Sequence, residues 1–157
     1  MAGQIRIEEM SGQDAEVAEM LVELTLAEQV HYDHPTESRD EVERRLRVSP
    51  RFSGENHLLV ARDEAGHAVG VCWVVLFDPG TGLEAELAEL YVRPEVRGGG
   101  VARSLVAEAI ALLRSRHVSF ASVWSRGDND AALAAYRAAG FAPTEQAVLT
   151  WLPLPDG

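Results

Sequence analysis

The alternation of apolar and polar positions predicts a chain of short strands and helices in mixed order. Period-two patterns and β-branched runs indicate strands, and apolar residues three or four apart indicate helices. The predicted strands are Gln4–Ile7, Asn56–Arg62, Ala68–Phe77, Glu84–Val92, Ser119–Trp124 and Ala142–Leu152. The predicted helices are one that starts at Ser11 and fades near Val30–His34, then Asp40–Arg47, Val101–Arg116 and Ala131–Ala139.

The connections between these elements predict the fold class. Short turns at Asp63–His67 and Asp78–Gly82 join the central strands, which must therefore be antiparallel. A helix connects Glu84–Val92 to Ser119–Trp124, so that pair is parallel. We expect an α+β fold with a mixed, mostly antiparallel sheet flanked by helices. A length of 157 residues suits a single domain over 1–157.

The balance of charged residues limits the kinds of molecule that the protein is expected to bind. The net charge is −11, which argues against a basic face for nucleic acid and favours a cationic substrate. All 14 basic residues are arginine, so no lysine is present to bind phosphate or form a Schiff base. With one cysteine, no intrachain disulfide is possible. No apolar stretch approaches the ~20 residues that span a bilayer, so we expect a cytoplasmic protein without a membrane partner.

The segment Val92–Leu105 carries the clearest chemistry. An apolar strand ends, three glycines follow, and an amphipathic helix begins at once. Such a junction presents free backbone N–H groups to an anion, and Arg97 and Arg103 add charge on either side. A diphosphate is the expected ligand, and a simple glycine-rich turn is the alternative. A dinucleotide motif is disfavoured because Arg103 stands where its last glycine would be.

Two motifs in this order resemble the GNAT family of N-acetyltransferases. Arg97-Gly98-Gly99-Gly100-Val101-Ala102 fits the family's R/Q-x-x-G-x-G/A pyrophosphate motif. Downstream, Asn129 precedes a short helix that bears Tyr136, and Gly140-Phe141 follow, as in a second motif of that family. The predicted element order also matches the family fold, so the resemblance covers essentially the whole chain.

The resemblance implies an acetyl-CoA binding site. The strand that ends at Val92 would splay from the strand after it, and pantetheine would lie in the gap beside Tyr91 and Val92. The pyrophosphate would rest on the amides of Gly98–Arg103, and Asn129 would bind the pantetheine arm. The expected cofactor-binding residues are Leu90, Tyr91, Val92, Arg97, Gly98, Gly99, Gly100, Val101, Ala102, Arg103 and Asn129.

Acetyl transfer needs an acid for the leaving thiolate and, in many enzymes, a base for the amine. Tyr136 is the expected acid, two helical turns after Asn129. The expected base is Glu89, with Glu86 second. Glu84 and Glu86 share a face of their strand, and Glu89 lies on the other if the alternation is unbroken. The alternative is an amine that arrives neutral from bulk water, in which case no dedicated base is needed.

The connection Gln29–Pro35 is expected to build the acceptor site, with His31 and Tyr32 as binding residues. His31 and His34 are three residues apart but lack a third metal-type ligand, so no metal is expected. Within the strands, we expect core packing for three side chains: Cys72, Trp73 and Trp124. For either tryptophan the alternative is a position lining the cleft.

These features predict direct transfer from acetyl-CoA to a primary amine of a small-molecule acceptor in a ternary complex. Alternatives are a non-catalytic acyl-CoA-binding module of the same fold, an acetyltransferase acting on protein amines, and a nucleotide-binding domain. The sequence leaves the oligomeric state undecided. If the chain forms a homodimer, the final strand and the apolar tail Trp151–Leu154 would suit its interface.

Overall fold

The structure, a computed structural model, describes residues 6–31, 36–47, 53–80 and 82–149. The predicted order of the elements is confirmed between the first helix and the last. The helices are α1 (Ala15–His31), α2 (Arg39–Arg45), α3 (Val101–Ser115) and α4 (Asp130–Ala138), with a 3₁₀ turn at Pro94–Val96. The strands are β1 (Gly54–Arg62), β2 (Ala68–Phe77), β3 (Glu84–Val92) and β4 (Phe120–Val123).

The four strands form one sheet in the order β1-β2-β3-β4. The first two pairs are antiparallel, and β3 pairs with β4 in parallel. The mixed, mostly antiparallel sheet predicted from the turns and the crossover is therefore confirmed.

The two outermost predicted strands are wrong where the structure describes them. Arg6 and Ile7 are not part of a strand, and 142–149 is irregular and exposed along its whole length. A β-strand needs a neighbouring strand to form backbone hydrogen bonds with it, and neither segment is part of the sheet. The remainder of both predicted strands, and Trp151–Leu154, lies outside the described residues.

Side-chain caps decide where the helices begin. The carboxylate of Asp14 accepts from the amides of Glu16 and Val17 at 2.9 and 3.1 Å, so α1 begins after Asp14 rather than at the predicted Ser11. Ser38 and Glu41 form a capping box at the start of α2. Asn129 Oδ1 accepts from the amide of Ala132 at 3.3 Å and opens α4.

The main core lies between one face of the sheet and helices α3 and α4. Its buried members are Cys72, Val74, Leu76, Ala85, Leu87, Val92, Leu105, Val106, Ala109, Leu113, Ala135 and Tyr136. Helices α1 and α2 form a second cluster of Val22, Val42 and Leu46. The opposite face of the sheet, which we call the open face, carries exposed apolar side chains at Leu58, Val60, Trp73 and Tyr91.

A β-bulge in β3 changes which side chains reach the open face. Trp73 pairs with Glu89 but the next residue, Val74, pairs with Leu87, so Ala88 is an extra residue in β3. The extra residue reverses the alternation, and Glu89 shares the open face with Glu84 and Glu86. The expectation that Glu89 lies on the other face is therefore wrong, because it assumed an unbroken period of two.

An ion pair ties the outer strand β1 to the end of α3. The guanidinium of Arg116 donates to both carboxylate oxygens of Glu55, at 2.7 and 2.5 Å, and His57 Nε2 lies 3.0 Å from the same carboxylate. The hydrogen bonds from Arg116, with a smaller contribution from His57, lower the pKa of Glu55 from 4.5 to about 2.

This lowered pKa predicts a pH dependence of stability. The contribution of Glu55 is fully present above its ordinary pKa and is lost as the pH falls through the lowered value, from about 4.5 towards 2. Urea unfolding of Glu55→Gln should give a lower midpoint than wild type from pH 7 to 5, and the two midpoints should converge as the pH drops below 4. Glu64→Gln, in the exposed β1–β2 turn, controls for loss of one charge. A midpoint difference that does not change with pH would contradict the role of the ion pair.

Candidate active site

A cleft of about 660 Å³ opens between the end of β3, the glycine loop and the start of α4. Glycine, arginine and small alanine side chains dominate its walls. Its lining residues are Leu90, Tyr91, Val92, Val96, Arg97, Gly98, Gly100, Val101, Ala102, Arg103, Arg126, Asp128, Asn129, Ala131, Ala132, Ala134 and Ala135. A long anionic ligand can therefore contact both the backbone of the glycine loop and arginine side chains in this cleft.

The glycine loop has a backbone that ordinary residues avoid. Gly98 and Gly100 have φ values of +82° and +84°, and a Cβ built on either would meet no protein atom within 4 Å. Gly100 is the N-cap of α3 and offers no side-chain acceptor, while the amide of Ser104 donates to the Gly100 carbonyl at 3.0 Å. The amides at the start of α3 therefore precede the first intrahelical bond and can bind an anion.

Three arginines line this cleft in a chain that is strongly acidic overall. Arg103 and Arg126 have exposed side chains, and Arg126 Nε lies 3.4 Å from the carboxylate of Asp128. Arg97 is more constrained, because its Nε donates to the carbonyl of Val92 at 2.9 Å and its guanidinium lies over the Tyr91 ring, 5.8 Å from the centroid. Arg97 thus stabilises the conformation of the loop and also adds positive charge to the cleft.

Strands β3 and β4 separate beside the bulge. Their ladder ends with the pair Leu87 and Val123, whereas β3 continues to Val92 without that partner. A second opening of about 170 Å³ lies in this gap and shares four lining residues with the cleft: Leu90, Arg126, Asn129 and Ala132. The cleft therefore continues into the split between the strands.

Tyr136 lines the gap from α4. Its side chain is only 6% exposed, and its ring packs edge-on against Phe141 with centroids 6.0 Å apart. Burial raises the pKa of Tyr136, and the nearby Cys72 and Glu89 raise it further. The phenol therefore stays protonated at neutral pH, as a proton donor must.

The two candidate bases take different positions. Glu89 lines the gap together with Tyr136, while Glu86 lies earlier on β3, opposite Ser122 of β4 and outside the lining of either cavity. The geometry therefore brings Tyr136 and Glu89 to one opening and leaves Glu86 on the adjoining strand surface.

Comparison with known proteins agrees with this geometry. A model of the Acetyltransferase (GNAT) family matches residues 18–141, which include the glycine loop, the split strands and α4. The chain belongs to the GNAT family. The predicted resemblance is confirmed.

Curated GNAT relatives are similar in sequence but longer. The chain is 34% identical over 123 residues to a protein named mycothiol acetyltransferase from Salinispora arenicola, covering 76% of this chain and 40% of that protein. A protein of the same name from Propionibacterium freudenreichii is 33% identical over 124 residues, covering 78% and 39%. The chain thus spans about two fifths of the length of these relatives.

Solved structures share the fold at low sequence identity. An aminoglycoside acetyltransferase from an uncultured soil metagenomic sample superposes with a TM-score of 0.54 at 17% identity, covering 89% of this chain and 91% of that one. Glucosamine-6-phosphate N-acetyltransferase from Arabidopsis thaliana gives 0.53 at 14% identity, covering 62% and 67%. These similarities support the GNAT fold.

Most residues predicted to contact acetyl-CoA lie around one cleft. All of them line it except Gly99, whose Cβ position instead lies 3.3 Å from the carbonyl oxygen of Val96. The predicted acceptor residue Tyr32 and the side chain of His31 lie outside the described residues. Gln29, at the start of that connection, hydrogen-bonds through its side-chain amide to the backbone of Glu37.

Sequence reasoning missed some of the lining residues. Arg126 and Asp128 belong to a polar loop, and their position depends on where β4 ends relative to β3. The available signal for Arg126 was its place in the sequence, because it is a basic residue a few positions before Asn129, which was already expected to contact the cofactor.

The expectation of core packing holds for only one of three strand residues. Cys72 is fully buried, and burial raises the pKa of its thiol to about 11, so it is no ready nucleophile. Trp73 and Trp124 are 39% and 64% exposed. Core packing is wrong for both, because Trp73 points to the open face and Trp124 follows the short strand β4.

Among the described residues, no three His, Cys, Asp or Glu side chains cluster as metal ligands. Nor does any helix within those ranges combine the length and apolar character required to cross a membrane.

Proposed function

We propose that this chain transfers the acetyl group of acetyl-CoA to a primary amine of a small-molecule acceptor, with both substrates bound together. The observation that carries the proposal is the continuity of the arginine-lined cleft with the gap that holds Tyr136 and Glu89. A diphosphate at the start of α3 and a thioester in the gap would be two ends of one ligand.

The residues of the cleft suit the parts of acetyl-CoA. Its diphosphate fits the open space beside Gly98 and Gly100 and the charge of the arginines. Its pantetheine amides fit the β3 edge that has no β4 partner beyond Leu87. Asn129 is already engaged as the cap of α4 through Oδ1, so its Nδ2 remains the group for the pantetheine arm.

Acetyl-CoA supplies an acetyl group activated as a thioester. In the proposed reaction an amine that has already released its ammonium proton to water attacks the thioester carbonyl, and the C–N bond forms as the C–S bond breaks. The carboxylate of Glu89 takes the proton that nitrogen loses as the amide forms, and the Tyr136 hydroxyl gives its proton to the departing sulfur. Both groups line the gap, and the carboxylate of Glu89 contributes to the raised pKa of Tyr136 after burial and Cys72. Glu86 lies too far along β3 to be the first choice.

The test is an acetyl-transfer assay over a panel of amines, with product detected by a mass increase and free thiol measured in parallel. The panel includes acceptors of the mycothiol, aminoglycoside and amino-sugar phosphate classes, which the names of the relatives suggest. Transfer to a small amine supports the proposal. Binding of acetyl-CoA without transfer to any amine would favour the non-catalytic module.

The two loop arginines are expected to respond differently to truncation. Arg103→Ala should weaken CoA binding by on the order of 1–3 kcal/mol and leave binding of a pantetheine fragment without diphosphate unchanged. Arg97→Ala should weaken both ligands, because Arg97 also supports the carbonyl of Val92 and the ring of Tyr91. Calorimetric titration of both ligands measures the difference.

Arg114→Ala is the matched control, because it removes an exposed arginine from the far end of the same helix. It should leave both affinities unchanged. If Arg103→Ala weakens the fragment as much as CoA, the arginine acts on the fold rather than on the diphosphate.

A further inference from the structure

Two exposed tryptophans are neighbours of Glu89, Trp73 across the ladder between β2 and β3, and Trp124 at the gap between β3 and β4. Trp73 pairs directly with Glu89 in the antiparallel ladder, so both side chains lie on the open face. Trp124 lines the gap together with Glu89. We call Trp73, Glu89 and Trp124 the indole–carboxylate patch.

The Trp73 ring is held in a defined orientation. Its Nε1 donates to Oδ1 of Asn56, on β1, at 2.8 Å. Because an indole has a single N–H donor, this bond leaves only the π surface and the edge of the ring for a ligand. Asn56 thus orients Trp73, and a ligand there meets an aromatic surface instead of a hydrogen-bond donor.

A carboxylate that has indole rings as neighbours is complementary to an organic cation. Ring faces attract ammonium groups, tryptophan most strongly, and the carboxylate adds ionic attraction. Glu84 and Glu86 lie on the same face of β3 as Glu89. Arg126, by contrast, is a cation that lines the gap beside Glu89 and Trp124. The three carboxylates outnumber this cation, and the net charge of the chain is −11, so the balance of charge favours a cationic ligand. Alkyl amines are protonated at neutral pH and so reach the protein as cations.

We infer that the indole–carboxylate patch binds an organic ammonium group of the acceptor, with Trp73 as a specificity-determining residue and Asn56 as its positioning residue. The inference rests on the proposed function, since it places the acceptor at the end of the acetyl-CoA cleft. The patch selects ammonium groups with apolar substituents and disfavours amines that carry a carboxylate or phosphate nearby, which Glu89 repels.

Choline and its uncharged isostere 3,3-dimethylbutan-1-ol test the charge dependence, and neither carries an amine that could be acetylated. The readout is the indole N–H signals of ¹⁵N-labelled protein, assigned with Trp73→Phe and Trp124→Phe, with and without CoA. Choline should shift the signals of Trp73 and Trp124 saturably, and the isostere should bind at least several-fold more weakly. Trp73→Leu should weaken choline binding about 2- to 30-fold.

Two sets of variants separate recognition from structure. Phe120→Leu removes an exposed aromatic ring elsewhere on the sheet, opposite Glu84, and should leave choline affinity unchanged. Asn56→Leu removes the acceptor for the indole N–H and should weaken choline binding, whereas Asn56→Asp keeps an acceptor and should restore it. Melting temperatures confirm that each variant is folded.

The inference is overturned if the isostere binds as well as choline, or if Trp73→Leu leaves choline affinity unchanged. CoA titration of the same samples tests the proposed function separately. Normal CoA binding without choline binding would contradict only the inference. Absence of CoA binding would contradict the proposed function, and the choline titration of the free protein would still show whether the patch binds an ammonium group.

Discussion

Tyr136→Phe is expected to lower kcat by ~10²–10⁴-fold, the usual effect of losing one acid–base group. The substitution keeps the buried ring and its edge contact with Phe141 but removes the proton for the departing sulfur. The acetyl-CoA KM should change little, because the hydroxyl acts mainly in the transition state. Single-turnover kinetics at saturating amine measure the chemical step apart from product release.

Phe141→Leu is the packing control for this experiment. It removes the ring against which Tyr136 packs and keeps the hydroxyl, so it should lower the melting temperature more and kcat far less than Tyr136→Phe. An unchanged single-turnover rate in Tyr136→Phe would make Tyr136 a structural residue of α4.

Gly100→Val is expected to weaken CoA binding by roughly 100-fold or more, as two lost hydrogen bonds to a charged group at about 1.5–3 kcal/mol each imply. A side chain at Gly100 would meet no protein atom and would extend into the space beside the helix amides. The positive φ of +84° also strains any residue with a Cβ, so loss of affinity must be distinguished from loss of stability.

Gly66→Val provides that distinction. Gly66 has a φ of +87° and equally open surroundings, but it lies in the turn between β1 and β2 and does not line the cleft. Both variants should lose similar stability, measured by urea unfolding, while only Gly100→Val loses CoA affinity by calorimetry. Equal CoA affinity in the two variants would contradict the proposal that the diphosphate binds at the start of α3.

The most informative difference between sequence and structure concerns Glu89. Its position near the end of β3 was predictable from the strand pattern, but its face was not. The face depends on Ala88 being the extra residue opposite the step from Trp73 to Val74. The same bulge lies where β3 leaves β4, so one feature of strand pairing both turns Glu89 and opens the gap.

The sequence by itself determined the features whose signals act within a few residues. The glycines before α3 and the bounds of β2 and β3 were all predictable, because φ preferences and the pattern of apolar residues there are local. The two motifs likewise carry the family, since their residues lie close together along the chain.

Only the tertiary structure decided the features that depend on a partner far along the chain. The predicted strand Ala142–Leu152 has no ladder over 142–149, and Trp73 is exposed because α3 and α4 cover the opposite face. Arg97 binds the carbonyl of Val92 as well as lining the cleft. Pairing, burial and shared use of a side chain are properties of two or more segments together, and no single segment encodes them.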